Sequence, residues 1–239
     1  MESKEMNFAA IPQTALNVVT KPSAFFKGMP KSGGFMEPLV FVVMIGVITG
    51  VIQAIINLTG FGQNGGYEAS IKASISMILF MPIFAAVFSF IGAAILFVIW
   101  KLMGSQENYE TAYRCAAYLI ALTPITTIIG VIPYAGGIIS MAMYLFYLVT
   151  ASIHVHNIPS QKAWLVFGII IAILLLFGLS TEYKVRKMAA SGKDWRDINS
   201  QFSKEYENKA KDMGKTADEA RRQAEQMAGQ AKKQAEQSR

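Results

Sequence analysis

Pro38-Leu39-Val40-Phe41-Val42-Val43-Met44-Ile45-Gly46-Val47-Ile48-Thr49-Gly50-Val51-Ile52-Gln53-Ala54-Ile55-Ile56-Asn57-Leu58 runs without a single charged side chain. A helix of roughly 20 apolar residues crosses a ~30 Å hydrocarbon core, so this stretch is long enough to span a bilayer. Working outward, four more such stretches follow, at 73–100, 115–132, 134–153 and 163–180. In hydrocarbon every backbone N–H and C=O must be satisfied inside the segment itself, which makes each of them a helix. The expected fold is all-α, a polytopic membrane bundle of five transmembrane helices with interfacial helices before it and a helical C-terminal tail.

The chain of 239 residues is 53% hydrophobic and only 16% charged, below the roughly 25% of an average soluble domain. The charge is unevenly placed. From Thr181 onward there are fourteen Lys/Arg and ten Asp/Glu, whereas 38–180 holds four and three. Three regions follow: an N-terminal arm (1–37), the spanning domain (38–180) and a charged, Ala-rich tail (181–239). A formal charge of +6 might suit nucleic acid, but the basic residues are mixed with acids and lie near membrane ends, so anionic lipid headgroups are the expected partner and nucleic acid is not. Cys115 is the single cysteine, which excludes an intrachain disulfide, a four-cysteine zinc site and a CxxC redox pair. The first residues show no short apolar core with a small-residue cleavage site, so the first span is the expected insertion signal.

In the arm, Phe8, Ile11, Ala15, Val18 and Val19 recur at helical spacing and Phe25, Phe26 and Met29 follow Pro22. These pieces are too short to span and read as interfacial helices, with Lys21, Lys27 and Lys31 among headgroups and the Phe pair in the acyl boundary. The second apolar stretch is over-long, since about 28 residues at ~1.5 Å each exceed the core thickness. Pro82 either divides it into a shallow part and a true span or kinks one tilted helix. Trp100 and Lys101 read as an interface anchor. The uncharged 131–137 linker between spans three and four predicts a tight hairpin. Placing the N-terminus in the cytoplasm gathers Lys21, Lys27, Lys31, Lys101, Arg114 and Lys162 inside, in keeping with the positive-inside rule. Five spans then put the basic tail outside, against that rule.

Three groups of residues are candidates for function. Gly46 and Gly50 form a GxxxG pair that lets another helix approach closely. Tyr109, Glu110, Tyr113 and Arg114 make a polar cluster at the membrane edge, with Glu110 and Arg114 at the i, i+4 spacing of a helix-surface ion pair. In the tail, Trp195, Ile198, Phe202 and Tyr206 mark the apolar face of one amphipathic helix or of two broken at Gly214, which reads equally as a solvated helix or as one that binds a membrane surface or a partner. His154 and His156 are two apart, unlike the i, i+3 or i, i+4 pairs that bind metal on a helix, and read as interface histidines. No catalytic set, P-loop or HExxH occurs, so no cofactor, metal or enzymatic activity is expected. No Asp, Glu, Lys or Arg is expected at mid-depth, which disfavours ion-coupled transport.

Taken in order, Pro22-Ser23-Ala24-Phe25-Phe26, Gly33-Gly34-Phe35-Met36-Glu37-Pro38-Leu39, the stretch from Tyr109 to Arg114, Ala117-Tyr118, Thr123-Pro124, the Gly130 to Gly137 hairpin, the His154 region and Lys162-Ala163 resemble the Yip family of five-span membrane proteins, named for interaction with Ypt/Rab GTPases, and its prokaryotic branch. The resemblance covers roughly residues 20 to 180 and leaves the tail outside. It implies membrane organisation or trafficking. The acidic-aromatic element of eukaryotic members is here only Phe35-Met36-Glu37-Pro38, so the Rab partnership does not carry over. The expected function is that of a non-enzymatic membrane-organising or assembly factor, as a homo-oligomer or with another membrane or peripheral protein. A small-solute permease or channel is the alternative.

Overall fold

A computed structural model describes residues 8–59, 67–190, 200–216 and 222. Among them there are helices and no strand. In chain order these are α1 (Ile11–Thr20), α2 (Pro22–Gly28), α3 (Met36–Leu58), α4 (Tyr67–Leu102), α5 (Tyr109–Leu119), α6 (Thr123–Ile129), α7 (Ala135–His154) and α8 (Ser160–Ala190). Among the described residues, five stretches are long and apolar enough to cross a membrane: Met36–Leu58, Ser74–Leu102, Tyr109–Ile129, Ala135–His154 and Ser160–Lys187. The third is the most enclosed by protein and the fifth the least.

Local chemistry sets the helix ends. Glu37 lies in the first turn of α3, where a carboxylate complements the helix dipole, and Pro38 loses nothing there by lacking an N–H. The Asn108 side chain accepts from the Thr111 amide at 2.9 Å and caps α5. The third span is not one uniform helix, because a 3₁₀ turn at Ile120–Leu122 joins α5 to α6. Pro124 is the reason: its missing N–H cannot make the α-helical bond to the Ile120 carbonyl, which accepts instead from the Thr123 amide of the 3₁₀ turn and from the Thr123 hydroxyl at 2.8 Å. The hairpin into α7 turns at Tyr134, whose φ is +57°, and at Gly136, where a Cβ would lie 2.9 Å from the Gly130 Cα.

Pro82 does not divide α4. One continuous helix runs from Tyr67 to Leu102, so the two-part alternative for the second stretch is set aside. The proline instead marks where α3 meets it. A Cβ added to Gly46 would lie 2.8 Å from the Pro82 Cα, and one on Gly50 would lie 2.8 Å from the Met77 carbonyl oxygen. Two glycines a turn apart bring the α3 backbone against the backbone of α4.

The arm is part of the bundle. Val18 and Phe26 have no appreciable exposed surface and share a core with Phe41, Trp100, Tyr118, Tyr147 and Phe167. The Tyr147 hydroxyl donates to the Val19 carbonyl at 2.6 Å. The reading of the Phe pair as dipping into acyl chains is thereby corrected for Phe26. Its ring meets Phe25 edge-on at 5.5 Å, and Phe25 meets Tyr118 at 5.1 Å, the second contact reaching more than 90 residues along the chain and leaving no mark in local periodicity. Trp100 is likewise core, fully buried, not an interface anchor.

The chain forms two compact units, through Lys184 and from Val185. In the second, residues 200–216 are helical and continue through Gly214. Phe202 is half-buried, Tyr206 and Met213 are exposed, and ion pairs join Lys209 to Glu205 and Lys211 to Glu207. Trp195 and Ile198 lie outside the described residues.

Candidate functional site

At one end of the bundle, three connections are tied together by polar contacts: 29–35, 103–108 and 155–159. Lys31 forms a 2.7 Å ion pair with Glu107 and donates to the Val155 carbonyl. Thr111 donates to the Lys31 carbonyl at 3.1 Å, and Lys162 donates to the Met103 carbonyl at 2.8 Å. Below them sits Arg114. Its Nη2 donates to the Gly34 carbonyl at 2.9 Å, while the Gly34 amide donates to Glu110 at 2.7 Å. Glu110 and Glu37 stand 3.6 and 3.7 Å from the guanidinium. Gly33 and Gly34 have φ of +126° and +82°, a left-handed turn open to glycine. A Cβ on Gly33 would meet Arg114 Nη2 at 2.9 Å. The loop is wrapped around the arginine.

Arg114 and Glu110 therefore pair, but not on a helix surface. Arg114 is 0% exposed, because loop 33–37 closes over it, a contact that spacing along α5 does not reveal. The two tyrosines of the same cluster hold α4: Tyr109 donates to the Phe90 carbonyl at 3.0 Å, and Tyr113 stacks on the Phe90 ring at 4.3 Å. All four residues of the predicted polar cluster meet within one junction of loop 33–37, α4 and α5.

His156 is the second correction. It is 3% exposed, not an interface histidine. Its ring stacks on Trp100 at 3.9 Å, Nδ1 lies 2.8 Å from the Ser105 hydroxyl, and Nε2 lies 3.8 Å from the Cys115 thiol. Burial pushes the imidazole down to about 4, so it is neutral at physiological pH. A cysteine beside a histidine suggests nucleophilic chemistry, yet both are buried and the far ring nitrogen meets a serine, not an orienting carboxylate. His156 closes a wall of the core. Among the described residues no three His, Cys, Asp or Glu side chains are placed to hold a metal ion.

At membrane depth lies a cavity of about 440 Å³ between α4 and α7, floored by α3, α5 and α6. Small residues carve it: Gly46, Ala85, Gly92 and Ala116. Hydroxyls of Thr49, Ser89, Thr123 and Tyr144 are the polar side-chain groups on its lining, which includes no charged residue. Thr49 and Thr123 stand 2.8 Å apart at its floor.

A family model, the Yip1 domain, matches residues 16–181. The chain belongs to the Yip1 domain family. That match begins inside α1 and ends within α8, so the Yip1 domain here includes the arm helices that pack into the core. No curated protein and no solved structure matches the chain significantly. The Arg114 junction was partly legible in the Yip1 sequence through its i, i+4 charges and paired glycines. The crevice was not, although Ala85, Ser89 and Gly92 among phenylalanines are the small-residue signal that could have drawn attention to it.

Proposed function

We propose that this Yip1-domain protein is a non-enzymatic membrane-organising or assembly factor of a prokaryotic cytoplasmic membrane, with its N-terminus inside. The observation that supports this reading is where the charges of the spanning unit go. Lys31, Glu37, Glu107, Glu110, Arg114 and Lys162 fasten loops and helix ends to one another at one face. The cavity between the spans is lined mainly by apolar side chains, with hydroxyls as its polar side-chain groups and no charged residue. An ion-coupled carrier places an ionisable group at mid-depth facing its path, and nothing of that kind lines the crevice. In this reading the bundle is a scaffold, the exposed apolar faces of α4 and α8 meet lipid or other subunits, and the tail helix engages anionic headgroups or a peripheral protein.

The test is reconstitution of the full chain in liposomes containing anionic lipid. Altered vesicle size or clustering by light scattering, relative to protein-free vesicles, is the expected outcome, without transport of trapped small solutes. Sustained, solute-specific flux would sink the reading in favour of a permease or channel.

A further inference from the structure

We propose that the crevice between α4 and α7 is a binding site for one acyl chain of a membrane glycerolipid. It lies within the spanning stretches of α3, α4, α5 and α7, so what surrounds its opening is hydrocarbon and not water. Its volume of about 440 Å³ falls within the roughly 300–1,000 Å³ of small-molecule sites. An apolar hollow of that size does not hold water well, and left empty its walls lose dispersion contacts. An acyl chain restores them and is already present at high local concentration.

The wall is shaped to admit such a chain from the side. On α4, Phe84 and Phe88 are 53% and 58% exposed and their rings stack at 5.9 Å, forming an aromatic lip. Behind the lip, Gly92 opens the wall: a Cβ built there meets no atom within 4 Å. That is unlike Gly46, where a Cβ would strike the Pro82 backbone. The site therefore has a position where bulk fills the hollow without displacing a helix. The assignment needs only the five-span bundle and stands whether or not the organising role holds.

The experiment uses the full chain in vesicles of phosphatidylcholine and phosphatidylglycerol doped with phosphatidylcholine bearing a diazirine at the end of one acyl chain. After photolysis, adducts are mapped by mass spectrometry. Adducts on Ser89, Tyr144 and Leu148 should exceed those on Ile173 and Leu176 of α8 severalfold, although the α8 pair is the more exposed to lipid. Gly92→Phe should abolish that excess and leave the α8 adducts unchanged. Gly178→Phe, adding the same bulk on α8 where a Cβ also meets open space, should have no effect. Even labelling of all lipid-facing residues in the natural sequence would overturn the proposal without any variant. So would an excess that survives in folded Gly92→Phe protein, or crosslinks from the crevice to a second copy of the chain in place of lipid.

Discussion

A guanidinium with no exposed surface needs its charge answered where it sits. At Arg114 the answer is divided among one carbonyl at 2.9 Å and two carboxylates at 3.6 and 3.7 Å. Removing one member of a buried pair typically costs about 3–5 kcal/mol, while exposed ion pairs contribute about 0–1 kcal/mol. Arg114→Gln should therefore lower the melting temperature of the detergent-solubilised protein well beyond Glu37→Gln, since Glu37 is itself exposed. Equal shifts would mean that the junction is only a surface pair. His156 gives a prediction of different sign and range. Its folded value of about 4 lies below the ordinary 6.5, so between those values the unfolded chain binds a proton that the folded one does not. Stability then falls as pH drops from about 6.5 towards 4, by at most about 1.4 kcal/mol per pH unit. Thermal unfolding at pH 7 and pH 5 should show this loss in the natural sequence and a smaller one in His156→Phe. The charges at Glu110 and Arg114 were legible in the sequence because their spacing is local. Their enclosure, and that of His156 against Trp100, depends on segments roughly 50 to 80 residues apart.

Among the elements, the sequence was most legible where one physical force dominates. The spanning helices follow from uncharged apolar runs, and their observed ends differ by a few residues where polar caps such as Asn108 extend them. What could not be read was how α1 and α2 use their apolar faces, since amphipathic spacing is the same against lipid and against protein. The α3–α4 contact yields a test. Leu at Gly46 or Gly50 puts side-chain atoms into the backbone of α4, and overpacking costs typically about 1–3 kcal/mol. Ile48 is on the exposed side of the same helix, so Ile48→Leu should be neutral while Gly46→Leu and Gly50→Leu destabilise. Comparable melting temperatures for all three would remove the close-packing account. In the tail, the 200–216 helix carries four lysines against three acids, and all three acids are paired with lysines of the same helix. Apolar insertion should then outweigh charge in any membrane contact. Replacing Phe202 and Tyr206 by Ala in the full chain should reduce protection of the tail from protease by anionic vesicles more than replacing Lys209 and Lys211 by Gln, and the reverse order would make the contact electrostatic.

For the whole molecule, the five alternating spans fix which connections share a side, and the ties from Lys31 to Glu107 and Val155 and from Lys162 to Met103 bring three of those connections together at one face. The hairpin belongs to the other face, where the Tyr134 amide donates to Glu182 at 2.9 Å and holds the far end of α8. The apolar pattern alone implied the number of spans, but the closed polar face had to be seen, because it is assembled from loops with no periodicity. The most direct measurement is labelling of single introduced cysteines by a membrane-impermeant maleimide in sealed vesicles, with buried Cys115 left in place. Thr59→Cys, Gln106→Cys and Gln161→Cys all lie at exposed positions. Gln106→Cys and Gln161→Cys should react from one side and Thr59→Cys only from the other. Labelling of Thr59→Cys and Gln106→Cys from the same side would contradict the five-span bundle.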